Sequence, residues 1–303
     1  MISSAEQEGP VPVWRWQNST THSAKVIACV NHDANAIASH LANHPDAKHF
    51  TEDIRTLDLT ELSAHVTLQR QKYSKAKTVL WASLECTNFS RAKGGLPRDA
   101  DSRTLAEHLF RYIDELQPDY IQIENVEEFM SWGDLDESGK PLSKDAGRLY
   151  MMWVNKICRR GYFFDFRILN AANYGAYTSR KRFFGIFAKK HLPIVFPEPT
   201  HEKNPKEGMF GCLKPWMPVK DVLDLDNEGT SIFDRKKPLV DATLERIYAG
   251  LIKFVAGGKD AFLSKQFGGD PSGKNISLEQ PAGAVTCRDH HALITVKKTE
   301  KIC

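Results

Sequence analysis

The sequence predicts an α/β fold on a mostly parallel sheet, followed by a second, more irregular region, and three observations carry that expectation. Up to about residue 190, short apolar runs with strand character alternate with helical stretches, the pattern of a parallel sheet with helices on both faces. The 303 residues are 41% hydrophobic and 26% charged, enough apolar side chain to fill the core of one large or two ordinary domains. Pro193, Pro197, Pro199, Pro205, Pro215 and Pro218 then mark an abrupt change of composition, which sets a domain boundary near residue 193.

Residues 1–24 show neither helical nor strand periodicity and read as an irregular segment. Val26-Ile27-Ala28-Cys29-Val30 is a short apolar run, hence a buried strand. Asn31-His32-Asp33 ends it, and Ala34 to Asn43 reads as a helix. Lys48 to Thr51 is a second strand turning at Glu52-Asp53, and Thr78 to Ser83 is a third. A Gly-containing polar loop, Arg91 to Ser102, leads into an amphipathic helix from Thr104 to Leu116, which Pro118 stops. Tyr120 to Ile123 is a fourth strand. A helix from Arg148 to Arg160 closes at Gly161, a residue type that suits the left-handed helix stop. Phe163–Leu169 and Phe183–Phe187 are strand-like, with a turn at Tyr174-Gly175 between them. Asp241 to Val255 is the main helix expected beyond the boundary, among Gly-rich loops and short strands.

Several function classes are excluded at this level. No apolar stretch approaches the roughly 18 residues of a membrane helix, and Met1 to Glu6 has no secretion-signal pattern. Cys29, Cys86, Cys158, Cys212, Cys287 and Cys303 stand far apart with no C-x-x-C pair, which argues against a zinc ribbon and for reduced thiols in a cytoplasmic protein. A net charge of +3 neither demands nor excludes a polyanionic partner.

Three places carry chemistry. Cys86, in Glu85-Cys86-Thr87-Asn88-Phe89-Ser90, follows a strand whose carboxyl end faces the ligand crevice of an open α/β sheet. Arg91, Lys93 and Arg98 follow it and suit a thiolate and phosphates. An arbitrary cysteine is more often a small core thiol, but these polar neighbours are not those of a core position. Glu124 ends the strand Ile121-Gln122-Ile123 and, given partial burial, is suited to moving a proton near neutral pH; taken alone it reads more readily as a helix cap or surface carboxylate. Arg180-Lys181-Arg182 abuts the strand Phe183–Phe187, which holds its guanidiniums ready for carbonyl or phosphate oxygens.

Taken in order, these segments resemble the signature blocks of the cytosine-C5 DNA methyltransferases. The blocks are Thr51-Glu52-Asp53-Ile54, Glu85-Cys86-Thr87-Asn88-Phe89-Ser90, Asp101-Ser102-Arg103-Thr104-Leu105, Glu124-Asn125-Val126, and Tyr174-Gly175 through Arg182. The resemblance runs from about Val26 to Phe187. It implies a Rossmann-like, S-adenosylmethionine-dependent sheet, with a catalytic domain over 25–192 and a target-recognition-like region over 193–303. It further implies methyl transfer to carbon 5 of a cytosine swung out of double-stranded DNA. Cys86 would attack carbon 6, Glu124 would serve ring nitrogen 3, and Arg182 with Arg180 would hold the carbonyl oxygen. Asn31, Asp33, Asp53, Ile54 and Glu85 fall at cofactor positions, and Ser90, Arg91, Lys93 and Arg98 in the loop that closes on DNA.

The sequence departs from the family pattern at four points. Glu85 replaces the proline before the nucleophile, and Asn31 replaces the ribose-binding acid, with Asp33 two residues on. No glycine occurs between Gly9 and Gly94, so the family's first strand and Gly-rich cofactor loop are expected to be missing or replaced. A closing block is not recognised after Val285-Thr286-Cys287. These departures leave open an inactive nucleic-acid-binding remnant, or one subunit of a split enzyme completed by a partner fragment; an RNA substrate also fits the same residue logic. His40 and His44 share a helix face near His49, but the spacing lacks the glutamate of a zinc-protease helix, and no metal is expected.

Overall fold

A computed structural model describes residues 2–5, 24–83, 105–133, 146–206, 213–227, 229–266, 270–285 and 290–297. Two compact units emerge, Met1–Leu169 with Arg182–Phe196, and Asn170–Lys181 with Pro197–Cys303. Where the sequence suggests one boundary near residue 193, the chain passes between the units after Leu169, Lys181 and Phe196.

The first unit is organised by seven strands: β1 (Ile2–Ala5), β2 (Ala28–Val30), β3 (Lys48–Phe50), β4 (Val79–Ser83), β5 (Tyr120–Asn125), β6 (Tyr162–Asn170) and β7 (Lys181–Lys189). Their order across the sheet is β3-β2-β1-β4-β5-β7-β6. From β3 to β5 every neighbour is parallel, and β7 runs antiparallel to β5. The expectation of a missing first strand is therefore corrected. Ile2–Ala5 pairs with β2 on one side (Ser3 with Cys29) and β4 on the other (Ser3 with Trp81). Ile-Ser-Ser-Ala is too short and polar to read as an apolar run, yet strand pairing is made by backbone groups that every residue carries. The cofactor loop expected to be replaced falls on residues 6–23, outside the described residues.

Among the described residues, four α-helices cover the sheet. The first, α1 (Ala34–Asn43), starts where the Asp33 side chain accepts the Asn35 N–H at 2.8 Å. The second, α2 (Leu59–Lys72), is not apparent from the sequence pattern; it buries only Leu59, Leu62 and Val66, and Asp58 caps it through the Thr60 N–H at 2.9 Å. In α3 (Leu105–Leu116), Ala106, Leu109, Tyr112, Ile113 and Leu116 recur at helical spacing and are all buried. In α4 (Arg148–Cys158), Tyr150, Trp153, Val154 and Ile157 do the same. Gly161 ends it as expected, at φ +93°, its N–H donating to the Cys158 carbonyl at 3.0 Å. These faces and the strands β2, β4, β5 and β7 share one apolar core, in which Trp153, Phe129, Phe183 and Phe187 are among the largest fully buried side chains.

The second unit holds a parallel pair, β8 (His201–Glu202) with β9 (Lys214–Pro215). It also holds the helix α5 (Asp241–Gly250), which continues as a π-helical turn over Leu251–Val255. An antiparallel sheet, ordered β11-β10-β12, is made by β10 (Ala261–Lys265), β11 (Asn275–Ile276) and β12 (His291–Thr295). Its small core gathers Val219, Leu263 and Ala282. Residues 170–181 belong here because they bond to the segment around Ala282: Ala282 N–H to Tyr177 carbonyl at 2.8 Å, and Ser179 N–H to Ala282 carbonyl at 2.9 Å. Gly250 is required by a close approach, since a Cβ there would lie 2.1 Å from the buried Phe262 ring.

His40, His44 and His49 do meet, at the end of α1 against β3. His40 Nδ1 lies 2.8 Å from His49 Nε2, and the His40 and His44 ring centroids are 4.8 Å apart. Among the described residues no group of three or more His, Cys, Asp or Glu side chains suits a metal ion. Burial first, then the neighbouring imidazoles, push the His40 pKa down to about 4. An unfolded histidine titrates near 6.5, so between those values the unfolded chain binds the extra proton and stability falls as pH falls. Because His40 is only half-buried, solvent screening reduces the effect to about 1–2 kcal/mol. Urea unfolding of His40→Gln beside the parent checks this: the variant should lose less stability than the parent between pH 7 and pH 4. Parallel losses would dismiss it.

Candidate active site

Of the residues singled out in the sequence, Asn31, Asp33, Asp53, Ile54, Glu124 and Arg182 lie along one edge of the first unit's sheet. Strand register places Ala5, Ser83, Glu124 and Phe184 in one row across β1, β4, β5 and β7. Ser4, Val30 and Phe50 align across β1, β2 and β3. The carboxyl ends of five parallel strands thus share one border, and β7, running the other way, begins there. The chain winds from β1 outward to β2 and β3, then restarts on the opposite side of β1 with β4 and β5. That reversal between β1 and β4 is the switch point at which open α/β sheets form their ligand crevice.

On the β2–β3 side, Asn31 follows β2 directly and is only 2% exposed. Its N–H donates to the Phe50 carbonyl at 3.1 Å, and its Oδ1 accepts the Asp33 N–H at 2.8 Å. Asp53 stands three residues beyond β3. Its carboxylate is gripped by Arg55, with Nε 2.9 and 3.0 Å from the two oxygens and Nη2 2.6 Å from one, and it also accepts the Arg55 N–H at 2.8 Å. The Arg55 side chain thereby holds Asp53 below the usual carboxylate range. The side chain of Ile54 turns into the core, and its carbonyl accepts from Tyr112 Oη at 3.0 Å.

On the β4–β5 side, strand alternation puts Gln122 and Glu124 on the opposite face to the buried Ile121, Ile123 and Asn125. Glu124 lies directly across from Phe184, one diagonal step from Arg182 on the same face. Arg182 Nε and Glu124 Oε1 are 3.2 Å apart, and the two side chains are 16% and 18% exposed. Trp81 and Ser83 of β4 stand alongside, with Trp81 Nε1 donating to Ser83 Oγ at 3.0 Å and its ring edge-on to Phe184. A carboxyl group fixed by a guanidinium at a strand end can accept a hydrogen bond when ionised or donate one to a ring nitrogen when protonated, while the guanidinium serves an adjacent oxygen. Arg180 belongs to the second unit, where its Nη1 donates to the Val285 carbonyl at 3.0 Å. Cys86, Glu85, Ser90, Arg91, Lys93 and Arg98 lie outside the described residues, in the segment entered from Ser83.

Residues 17–237 match the family model of C-5 cytosine-specific DNA methylases. The chain belongs to that family. Its sheet is the Rossmann-like α/β sheet the resemblance implies, parallel from β3 to β5 and with β7 antiparallel to β5. Among curated methylase relatives, the type II methyltransferase M.AgeI of Thalassovita gelatinovora is 26% identical over 222 residues, which is 69% of this chain and 48% of that one. The type II methyltransferase M.AquIA of Picosynechococcus sp. is 26% identical over 178 residues, 55% of this chain and 67% of that one. The chain therefore spans about half the length of the first relative and two-thirds of the second. The crystal structure of a Spodoptera frugiperda DNMT2 mutant is 18% identical with a TM-score of 0.45, covering 75% of this chain and 58% of that one. No helix among the described residues is long and apolar enough to cross a membrane.

The sequence missed Arg55, Arg111 and Tyr112, which bind the turn carrying Asp53. Arg55 had a local signal, an opposite charge two residues from Asp53. The other two had none, because they come from α3.

Proposed function

We propose that the chain transfers a methyl group from S-adenosylmethionine to carbon 5 of a cytosine flipped out of double-stranded DNA, through a covalent adduct on Cys86. The observation that carries the reading is the Glu124–Arg182 pair, mostly shielded from solvent at the strand end next to the one from which the chain runs on to Cys86. The acceptors at the ends of β2 and β3 fit a nucleoside cofactor, since Asn31, Asp33 and Asp53 offer oxygens to hydroxyl and amine protons. Asn31, Asp33, Asp53, Ile54 and Glu85 are assigned to that side, and bound S-adenosylmethionine supplies the methyl group.

The Cys86 thiolate forms a bond to ring carbon 6. Glu124 donates to or protonates ring nitrogen 3, so that the electron pair displaced toward the ring does not accumulate as charge. Arg182 orients Glu124 and receives the ring carbonyl oxygen, with Arg180 assigned to support it. After carbon 5 has taken the methyl group, loss of its proton returns the electron pair to the ring and expels Cys86. Ser90, Arg91, Lys93 and Arg98 are assigned to the DNA backbone, and the second unit to target recognition.

The test is transfer of labelled methyl to mixed-sequence duplex DNA by the full chain, beside Cys86→Ser. Label on cytosine carbon 5 is expected, falling at least about a thousandfold in the variant, because the nucleophile is lost. Absence of label with folded parent protein, or label undiminished in Cys86→Ser, overturns the reading; label on RNA in preference to DNA overturns the substrate.

A further inference from the structure

The turn that presents Asp53 is held from outside by two consecutive residues of α3. Asp53 opens the turn, its carbonyl accepting the N–H groups of Thr56 at 3.1 Å and Leu57 at 3.0 Å. Three of the next four carbonyls, those of Ile54, Arg55 and Leu57, bond to α3. Arg111 donates to the Arg55 carbonyl through Nη1 and to the Leu57 carbonyl through Nη2 at 2.5 Å, and Tyr112 Oη donates to the Ile54 carbonyl. One guanidinium and one hydroxyl thus fix three carbonyls in four residues. The backbone they fix is that of Arg55, whose side chain in turn holds both oxygens of Asp53. Tyr112 is 4% exposed and so cannot swing away from its carbonyl.

We infer that Arg111 is a positioning residue for cofactor affinity, acting through the Arg55 backbone and side chain to set where the Asp53 carboxylate stands. The inference rests on the functional reading above. A planar fork spanning two carbonyls is a task lysine cannot reproduce, because an ammonium is a single point. A second guanidinium clamp serves as a built-in comparison: Arg70 donates to Thr78 Oγ1 at 3.0 Å and to the Leu116 carbonyl at 2.5 Å, before β4 begins and so away from the carboxyl edge.

The experiment measures S-adenosylhomocysteine affinity by calorimetry, together with melting temperature, for the full chain and for Arg111→Lys, Tyr112→Phe and Arg70→Lys. Arg111→Lys should weaken binding about tenfold, the equivalent of one lost hydrogen bond's worth of order. In steady state the loss should appear as a raised KM for the methyl donor, with kcat at saturating donor retained. Tyr112→Phe, which removes one hydroxyl and keeps the ring packed, should weaken binding in the same direction by a few-fold and covers the case in which Arg111→Lys does not fold. Arg70→Lys should lower the melting temperature without a change in affinity. Unchanged affinity in Tyr112→Phe and in folded Arg111→Lys overturns the positioning role alone. Equal weakening in Arg70→Lys also overturns it, because loss of stability then explains everything. No binding by the parent chain overturns the functional reading and the inference together.

Discussion

Glu124→Gln is expected to slow methyl transfer by about 10²–10⁴-fold, the usual range for loss of a positioned proton donor or acceptor. Glutamine keeps the length and planarity of the side chain and can still accept from Arg182 Nε, which lies 3.2 Å from the carboxylate. It removes the negative charge and the titratable proton. Folding should therefore change little, and a large rate loss reports chemistry rather than collapse of the β5–β7 edge. Arg182→Gln should also be slow, because the carboxylate loses the group that orients it. If the two act as a unit, the double variant will be no slower than the worse single variant, whereas independent roles would multiply. Single-turnover rates on duplex DNA, at saturating methyl donor, give the comparison directly. A Glu124→Gln rate within threefold of the parent would remove Glu124 from the mechanism.

That ion pair also shows which part of the site could be read from sequence. Glu124 and the basic run before Phe183 were each visible as polar groups at the end of an apolar strand. Their pairing was not, because it depends on antiparallel β5–β7 register, a long-range fact. The same division holds for the fold. Strands such as Ala28–Val30 and helices such as Ala34–Asn43 announce themselves by local pattern, and the structure places them where expected. Ile2–Ala5 lacks an apolar run and still becomes an interior strand, between β2 and β4, because its neighbours rather than its own residues specify it. The α2 helix buries three side chains among mostly polar ones, so its periodicity is faint, although Asp58 and Thr60 at its start form a recognisable cap. Assignment of residues 170–181 to the second unit depends on hydrogen bonds to residues more than a hundred positions away, Thr178 Oγ1 to the Gly283 carbonyl at 2.7 Å among them.

Trp153→Ala is expected to cost about 3–5 kcal/mol, enough to unfold much of a domain whose total stability is on the order of 5–15 kcal/mol. Trp153 is 2% exposed, with ring centroids 5.5 Å from Phe129 and 5.7 Å from Phe187, both edge-on. Its Nε1–H donates to the Ala106 carbonyl at 2.7 Å, so truncation leaves a large cavity and also a buried acceptor without its donor. Trp153→Phe separates the two contributions: it keeps most of the ring volume and loses the N–H, and should cost about 1–3 kcal/mol. The consequence reaches the edge of the sheet. Phe183, fully buried in the same cluster and 5.9 Å from Phe129, is the neighbour of Arg182 on the opposite face of β7. The packing that holds Phe183 therefore also fixes where Arg182 points. Urea denaturation gives the stabilities, and a loss below about 1 kcal/mol for Trp153→Ala would mean the cluster is not the keystone its burial indicates. Where Trp153→Phe remains folded, its methyl-transfer rate tests the link itself, since a loosened β7 should slow transfer even though no atom of Trp153 lies on the reacting face.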